Sequence, residues 1–74
     1  MSKLPILKPR QLIKILRKLG FNKIRQEGSH IFFKHPDGRT TVVPFHKSRD
    51  IGRGLLRAIL GDIKLNPKDL QRML

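Results

Sequence analysis

The sequence predicts an α+β fold of order α-β-β-β-α, with a three-stranded antiparallel sheet, both long helices on one face of it, and a short extra C-terminal helix. Three observations lead there. An apolar stripe at helical spacing opens the chain, a strand-like region built around a turn follows, and a second helical stripe comes after it. With 74 residues, the chain is expected to form one domain over 1–74. A domain this small buries only about 60% of the surface that its unfolded chain exposes, so there is no room for a large enclosed substrate cavity. Any chemistry has to take place on an open face.

The first helix is framed by Pro9, suited to a first turn, and Gly20, suited to an end. Between them Leu12, Ile15, Leu16 and Leu19 fall on one apolar stripe, and Arg10, Lys14 and Arg17 fall opposite. Next, two apolar-rich segments flank His35-Pro36-Asp37-Gly38, a turn sequence in which proline presets φ and glycine accepts a positive one. Ser29–His35 and Arg39–Pro44 therefore read as a hairpin. A weaker strand, Asn22–Glu27, precedes it, with Gly28 as the bend. In the second helical region Ile51, Leu55, Ile59 and Ile63 recur at every fourth position, and Leu56 and Leu60 widen the stripe. Gly52 and Gly54 leave the start of that helix open. Asn66-Pro67-Lys68-Asp69 reads as a cap, a first-turn proline and an acid near a helix N-terminus, so a short last helix should run to Met73.

Two helices with one apolar face each have to pack side by side on one face of the sheet, which leaves the other face uncovered. This is the arrangement of double-stranded-RNA-binding domains, an analogy of fold only. Side chains alternate along a strand, so Ile31, Phe33 and His35 share one face and His30, Phe32 and Lys34 the other. Burying the second set would bury Lys34 without a partner, so Ile31 and Phe33 should face the core. His30, Phe32 and Lys34 then line the open face. There Phe32 either stacks a base or packs under the C-terminal helix.

Charge narrows the partners. Seventeen Lys and Arg stand against five Asp and Glu, a formal +12. Such a domain attracts polyanions, nucleic acid foremost, with steep salt dependence. The basic residues are not gathered on one amphipathic helix, which argues against a membrane surface. There are no cysteines, and no apolar run long enough for a signal peptide or a spanning segment, so the protein is expected in the cytoplasm without disulfides.

The acids Glu27, Asp37, Asp50, Asp62 and Asp69 sit in turns and at helix ends rather than as a converging set, so no two-metal site is expected. His30 and His35 point to opposite faces, and His46 beside one of them leaves no clear third ligand, so no zinc site and no cofactor is expected. Ser29 adjoins His30 but points away from it, so the two are no nucleophile–base pair. What remains is acid–base chemistry by one histidine on RNA, which carries its own nucleophile, the 2′-OH. On chemistry alone His30 is either that catalyst or a surface RNA ligand.

The stretch "GSHIFFKHPDGRTTVVPFH", with the opening "LPILKPRQLIKILRKLGF" and the later "GRGLLRAIL" and "NPKDL", resembles the HicA-type (YcfA-like) toxins, small endoribonucleases of bacterial and archaeal toxin–antitoxin pairs. The resemblance runs through nearly the whole chain. Its specific part is Gly28-Ser29-His30 combined with the Pro44-x-His46 that follows. It implies a double-stranded-RNA-binding-like fold, ribosome-independent cleavage of mRNA, a catalytic histidine at His30, and a HicB-type antitoxin that covers it. One departure is "IGRGLLRAI", where many relatives have Gly-Thr-Leu, a difference that touches helix packing rather than chemistry. Gly28, Ser29, Phe32, Lys34, His46, Lys47 and Arg49 are the expected RNA-binding residues, although His46 could instead hold the loop before the second helix. The alternative function is a non-catalytic double-stranded-RNA-binding module. Such binders carry a lysine-rich cluster at the start of the last helix. Here Lys47-Ser48-Arg49-Asp50 is interrupted by an acid, which favours the enzyme.

Overall fold

The computed structural model describes residues 4–46 and 48–74. Helix α1 (Pro9–Lys18) is followed by strands β1 (Asn22–Glu27), β2 (His30–Lys34) and β3 (Thr40–Pro44), helix α2 (Arg53–Ile63) and helix α3 (Pro67–Arg72). The strands form one antiparallel sheet in the order β1-β2-β3. The α+β, double-stranded-RNA-binding-like arrangement expected from the sequence is the observed one. The shortest dimension is 17 Å, the depth of one sheet layer and one helix layer.

Leu12, Ile15 and Leu16 of α1, Ile31 and Phe33 of β2, Val43 of β3 and Leu56, Ile59, Leu60 and Ile63 of α2 join in one core. Both long helices therefore cover the same sheet face. Leu70 brings α3 into this core, and Asn66 caps that helix, its Oδ1 accepting the Asp69 N–H at 2.9 Å.

One expectation is corrected. Ile51 and Leu55 do not lie on the buried stripe of α2. Gly52 is the N-cap, so Ile51 precedes the helix and instead exchanges backbone hydrogen bonds with Leu7. Leu55 is 40% exposed. The stripe that packs is Leu56, Ile59, Leu60 and Ile63, at i, i+3, i+4 and i+7, and Leu55 falls just off its edge.

The far end of the β2–β3 hairpin is braced by side chains. His35 Nε2 lies 3.0 Å from the Leu19 carbonyl, so Nε2 carries a proton and donates it. Nδ1 faces Asp37, 3.1 Å from its backbone nitrogen and 3.0 Å from its carboxylate Oδ1. The His35 ring meets Phe21 edge to face at 5.0 Å. Arg39 pairs with Asp37 at 2.8 Å, donates to the Ile63 carbonyl at the end of α2, and lies 5.1 Å from the Phe21 ring centroid. Buried Thr41 donates its hydroxyl to Asp62 at 3.0 Å, a second tie from β3 to α2.

Two predictions arise here. Gly20 ends α1 at φ +96°, and a Cβ built on it would stand 3.0 Å from His35 Nε2. Gly20→Ala therefore suffers twice, in backbone strain and in crowding of the brace. It should lose about 1–3 kcal/mol, read by urea denaturation. An unchanged midpoint would mean that neither constraint is real.

Asp37 carries the second prediction. The Arg39 side chain and the Arg39 backbone N–H both donate to its carboxylate and hold its pKa down, to about 2. An ordinary Asp titrates near 3.9, so the folded form binds this proton more weakly than the unfolded one. The stabilisation is complete above about pH 4 and is lost as pH falls toward 2. Thermal midpoints of Asp37→Asn should therefore converge on those of the unsubstituted protein across that interval. Parallel curves would contradict the coupling.

Candidate active site

Gly28 and Ser29 form a two-residue connection between β1 and β2, with Glu27 paired to His30. Gly28 has φ +58°, and Ser29 is not among the positive-φ residues. Positive φ at the first central position alone is the signature of a type II′ hairpin turn, the kind that matches the twist of its strands. A Cβ at Gly28 would meet nothing within 4 Å, so the demand for glycine comes from the backbone. The Ser29 carbonyl accepts the Phe45 N–H at 2.6 Å, which ties the turn to the chain leaving β3. His30 is thus held between Glu27 on one side and Pro44 on the other.

Along β2, Ile31 and Phe33 are buried, His30 and Lys34 are exposed, and Phe32 is half-buried on the uncovered face. This is the expected alternation, and the Phe32 ring is not part of the core beneath α2. The Arg25 guanidinium lies over that ring, 4.3 Å from its centroid. His30 makes no side-chain hydrogen bond among the described residues.

The neighbours supplied by β1 were not legible. The register slips between Lys23 and Arg25, so Ile24 is an extra residue and stands 55% exposed. Because of that bulge, Lys23 pairs with Phe33 but Arg25 pairs with Phe32, on the opposite face. Arg25 and Glu27 then flank the open-face histidine, joined by an ion pair at 3.3 Å. An imidazole, a guanidinium, an ammonium and an aromatic ring consequently share one uncovered surface. That set can take a proton, neutralise phosphate and stack on a base.

His46 and Arg49 stand beyond the end of β3. Arg49 N–H donates to the His46 carbonyl at 3.1 Å, so the two ends of this turn are close. Both residues are exposed and line an open cleft of about 420 Å³ together with Lys8, Pro9, Arg10, Phe45 and Asp50. Lys47 lies outside the described residues. The N-terminal side of this cleft was missed by sequence reasoning, which assigned no element and no binding role to the stretch before Pro9. It is in fact anchored, with Leu4 and Leu7 in the core and Leu7 bridged to Ile51. The apolar residues Leu4 and Leu7 were the only trace of it.

Among the described residues, no three His, Cys, Asp or Glu side chains are grouped so as to hold a metal ion, and no helix is long and apolar enough to cross a membrane. His30 and His35 lie on opposite sides of the sheet.

Comparison with curated proteins finds no match. Residues 9–65 match the family model described as the HicA toxin of bacterial toxin–antitoxin. This span runs from the first residue of α1 to just past α2 and contains the turn, the histidine and the β2–β3 hairpin. A match over this much of a 74-residue chain, on the fold just described, places the protein in the HicA family of bacterial toxin–antitoxin toxins.

Proposed function

We propose that this chain is a metal-independent endoribonuclease that cleaves mRNA with His30 as its single acid/base group. The observation that supports this best is the exposed imidazole, set between Glu27 and Pro44 on a cationic face that no helix covers. Neutral His30 takes the proton of a ribose 2′-OH, and the oxygen attacks the adjacent phosphorus. The bond from phosphorus to the 5′-oxygen breaks, and that oxygen receives a proton back from the imidazolium. The products are a 2′,3′-cyclic phosphate and a free 5′-OH. Lys34 and Arg25 offset the charge that gathers on the phosphate oxygens. The Gly28-Ser29 turn, Phe32, His46, Lys47 and Arg49 hold the strand.

The same face is the surface for an antitoxin of HicB type. An acidic partner surface would be steered to a chain of +12 and would exclude RNA by occupying His30. The toxin acts in the cytoplasm, where its mRNA substrate lies, and residues 1–74 work as one toxin domain.

Cleavage of a synthetic RNA should continue at full rate in excess EDTA. Loss of cleavage that a divalent ion restores would return attention to the carboxylates. Binding without any cleavage would favour the non-catalytic RNA-binding module.

A further inference from the structure

We propose that the cleft between α1 and the chain leaving β3 is a second nucleotide subsite, which takes the phosphate and base of the residue next to the scissile bond in a single-stranded RNA. This rests on the reading of His30 as the point of cleavage, and extends it from His46 and Arg49 to Lys8, Arg10 and Phe45, to which no motif gives a role.

The cleft is assembled from segments far apart in sequence. The Leu7–Ile51 bridge carries Lys8 and Arg10 against Arg49 and Asp50. The rim's one carboxylate, Asp50, is engaged by Lys8 at 3.5 Å. Arg10 and Arg49 have no ion-pair partner among the described residues, so two guanidinium groups are left for an anion. Planar guanidinium forks match the oxygens of a phosphate. Phe45 packs against the core and lines the cleft, an aromatic wall already fixed in place. His46, exposed beside it, adds a ring with donor and acceptor nitrogens. A volume of about 420 Å³ falls within the size of small-ligand sites, and the cleft is open, so a strand can pass through it.

Position supports the assignment. Pro44 stands opposite His30, and the Phe45 N–H is bonded to Ser29, the residue before His30. Only Phe45 separates Pro44 from His46, and these two steps of chain span at most about 7 Å. That reach is comparable with the step between successive phosphates of an extended single strand. A base stacked on Phe45 must be unpaired, which selects single strands over duplex.

The test measures binding of a fluorescein-labelled, mixed-sequence RNA octamer by fluorescence anisotropy, in a His30→Ala background that prevents cutting. Arg10→Ala/Arg49→Ala should weaken binding at least about tenfold and reduce the salt slope by roughly 0.7 for each phosphate that is no longer neutralised. The charge-matched control Lys14→Ala/Arg17→Ala, on the exposed side of α1, should change it far less. Phe45→Leu keeps an apolar packing group and should weaken binding about fivefold or more while leaving the salt slope unchanged. Equal losses in the two double variants would show that only net charge matters and would overturn the subsite, whether or not the unsubstituted protein cuts the octamer. Unsubstituted protein that does not cut the octamer, while Arg10→Ala/Arg49→Ala still loses affinity, would overturn the nuclease reading and leave the cleft standing. A fall in affinity for a decaglutamate peptide but not for RNA would assign the cleft to an acidic protein partner and overturn the proposal.

Discussion

His30→Ala is expected to lose cleavage by about 10²–10⁴-fold, the usual contribution of a positioned acid–base group, and to lose growth inhibition with it. Circular dichroism and thermal midpoint should scarcely move. The side chain is exposed, makes no hydrogen bond among the described residues and belongs to no core cluster, and such substitutions usually stay within about 0.5 kcal/mol. RNA affinity should also hold, since Arg25, Phe32 and Lys34 remain on the same face. The separation of these readouts is what counts. A variant that unfolds loses everything at once, whereas loss of cleavage alone isolates the chemistry. A variant that cuts at the original rate would mean that another group, Glu27 beside it or His46 in the cleft, removes the proton.

Arg39→Ala should cost the most stability of any polar substitution, about 2–3 kcal/mol. Three ties end together: the pair with Asp37, the donation to the Ile63 carbonyl, and the stacking near the Phe21 ring. The Ile63 carbonyl is left without this donor, and the β2–β3 turn is no longer held to α2. For a domain of this length the loss corresponds to a fall of roughly 10–20 °C in Tm. Arg39→Lys should recover only part of it, because an ammonium cannot present the same flat fork to the carboxylate and the carbonyl together. A Tm unchanged in Arg39→Ala would show that the hairpin is held by its apolar residues alone. Cleavage by the folded fraction should persist, since this brace lies on the far side of the hairpin from His30.

Much of this was legible in the sequence, for reasons that can be traced to particular residues. The face of His30 followed from Lys34, because a buried lysine without a partner is costly and period-two alternation carries that constraint back four positions. Asn66 was readable as a cap because capping is local, needing only the N–H of Asp69 three residues on. Where two apolar patterns overlapped, as at Leu55 and Leu56, composition offered no choice between them, and the helix start at Arg53 decided it. What depended on pairing between distant segments was out of reach. The bulge at Ile24, which turns Arg25 to the open face, is a property of register rather than of residue type. The tie from Arg39 to Ile63 spans 24 positions, and the cleft joins Arg10 to Arg49 through a bridge that neither residue makes. The histidine could therefore be singled out from local patterning and resemblance, while its surroundings required the fold.

The central claim is that one imidazole on an uncovered sheet drives attack by the ribose itself. Mass analysis of the RNA ends left by purified protein in EDTA tests it most directly. The account predicts 2′,3′-cyclic phosphate and 5′-OH termini, absent when His30→Ala protein is used. Ends bearing 5′-phosphate and 3′-OH would require water as the nucleophile, and would contradict it.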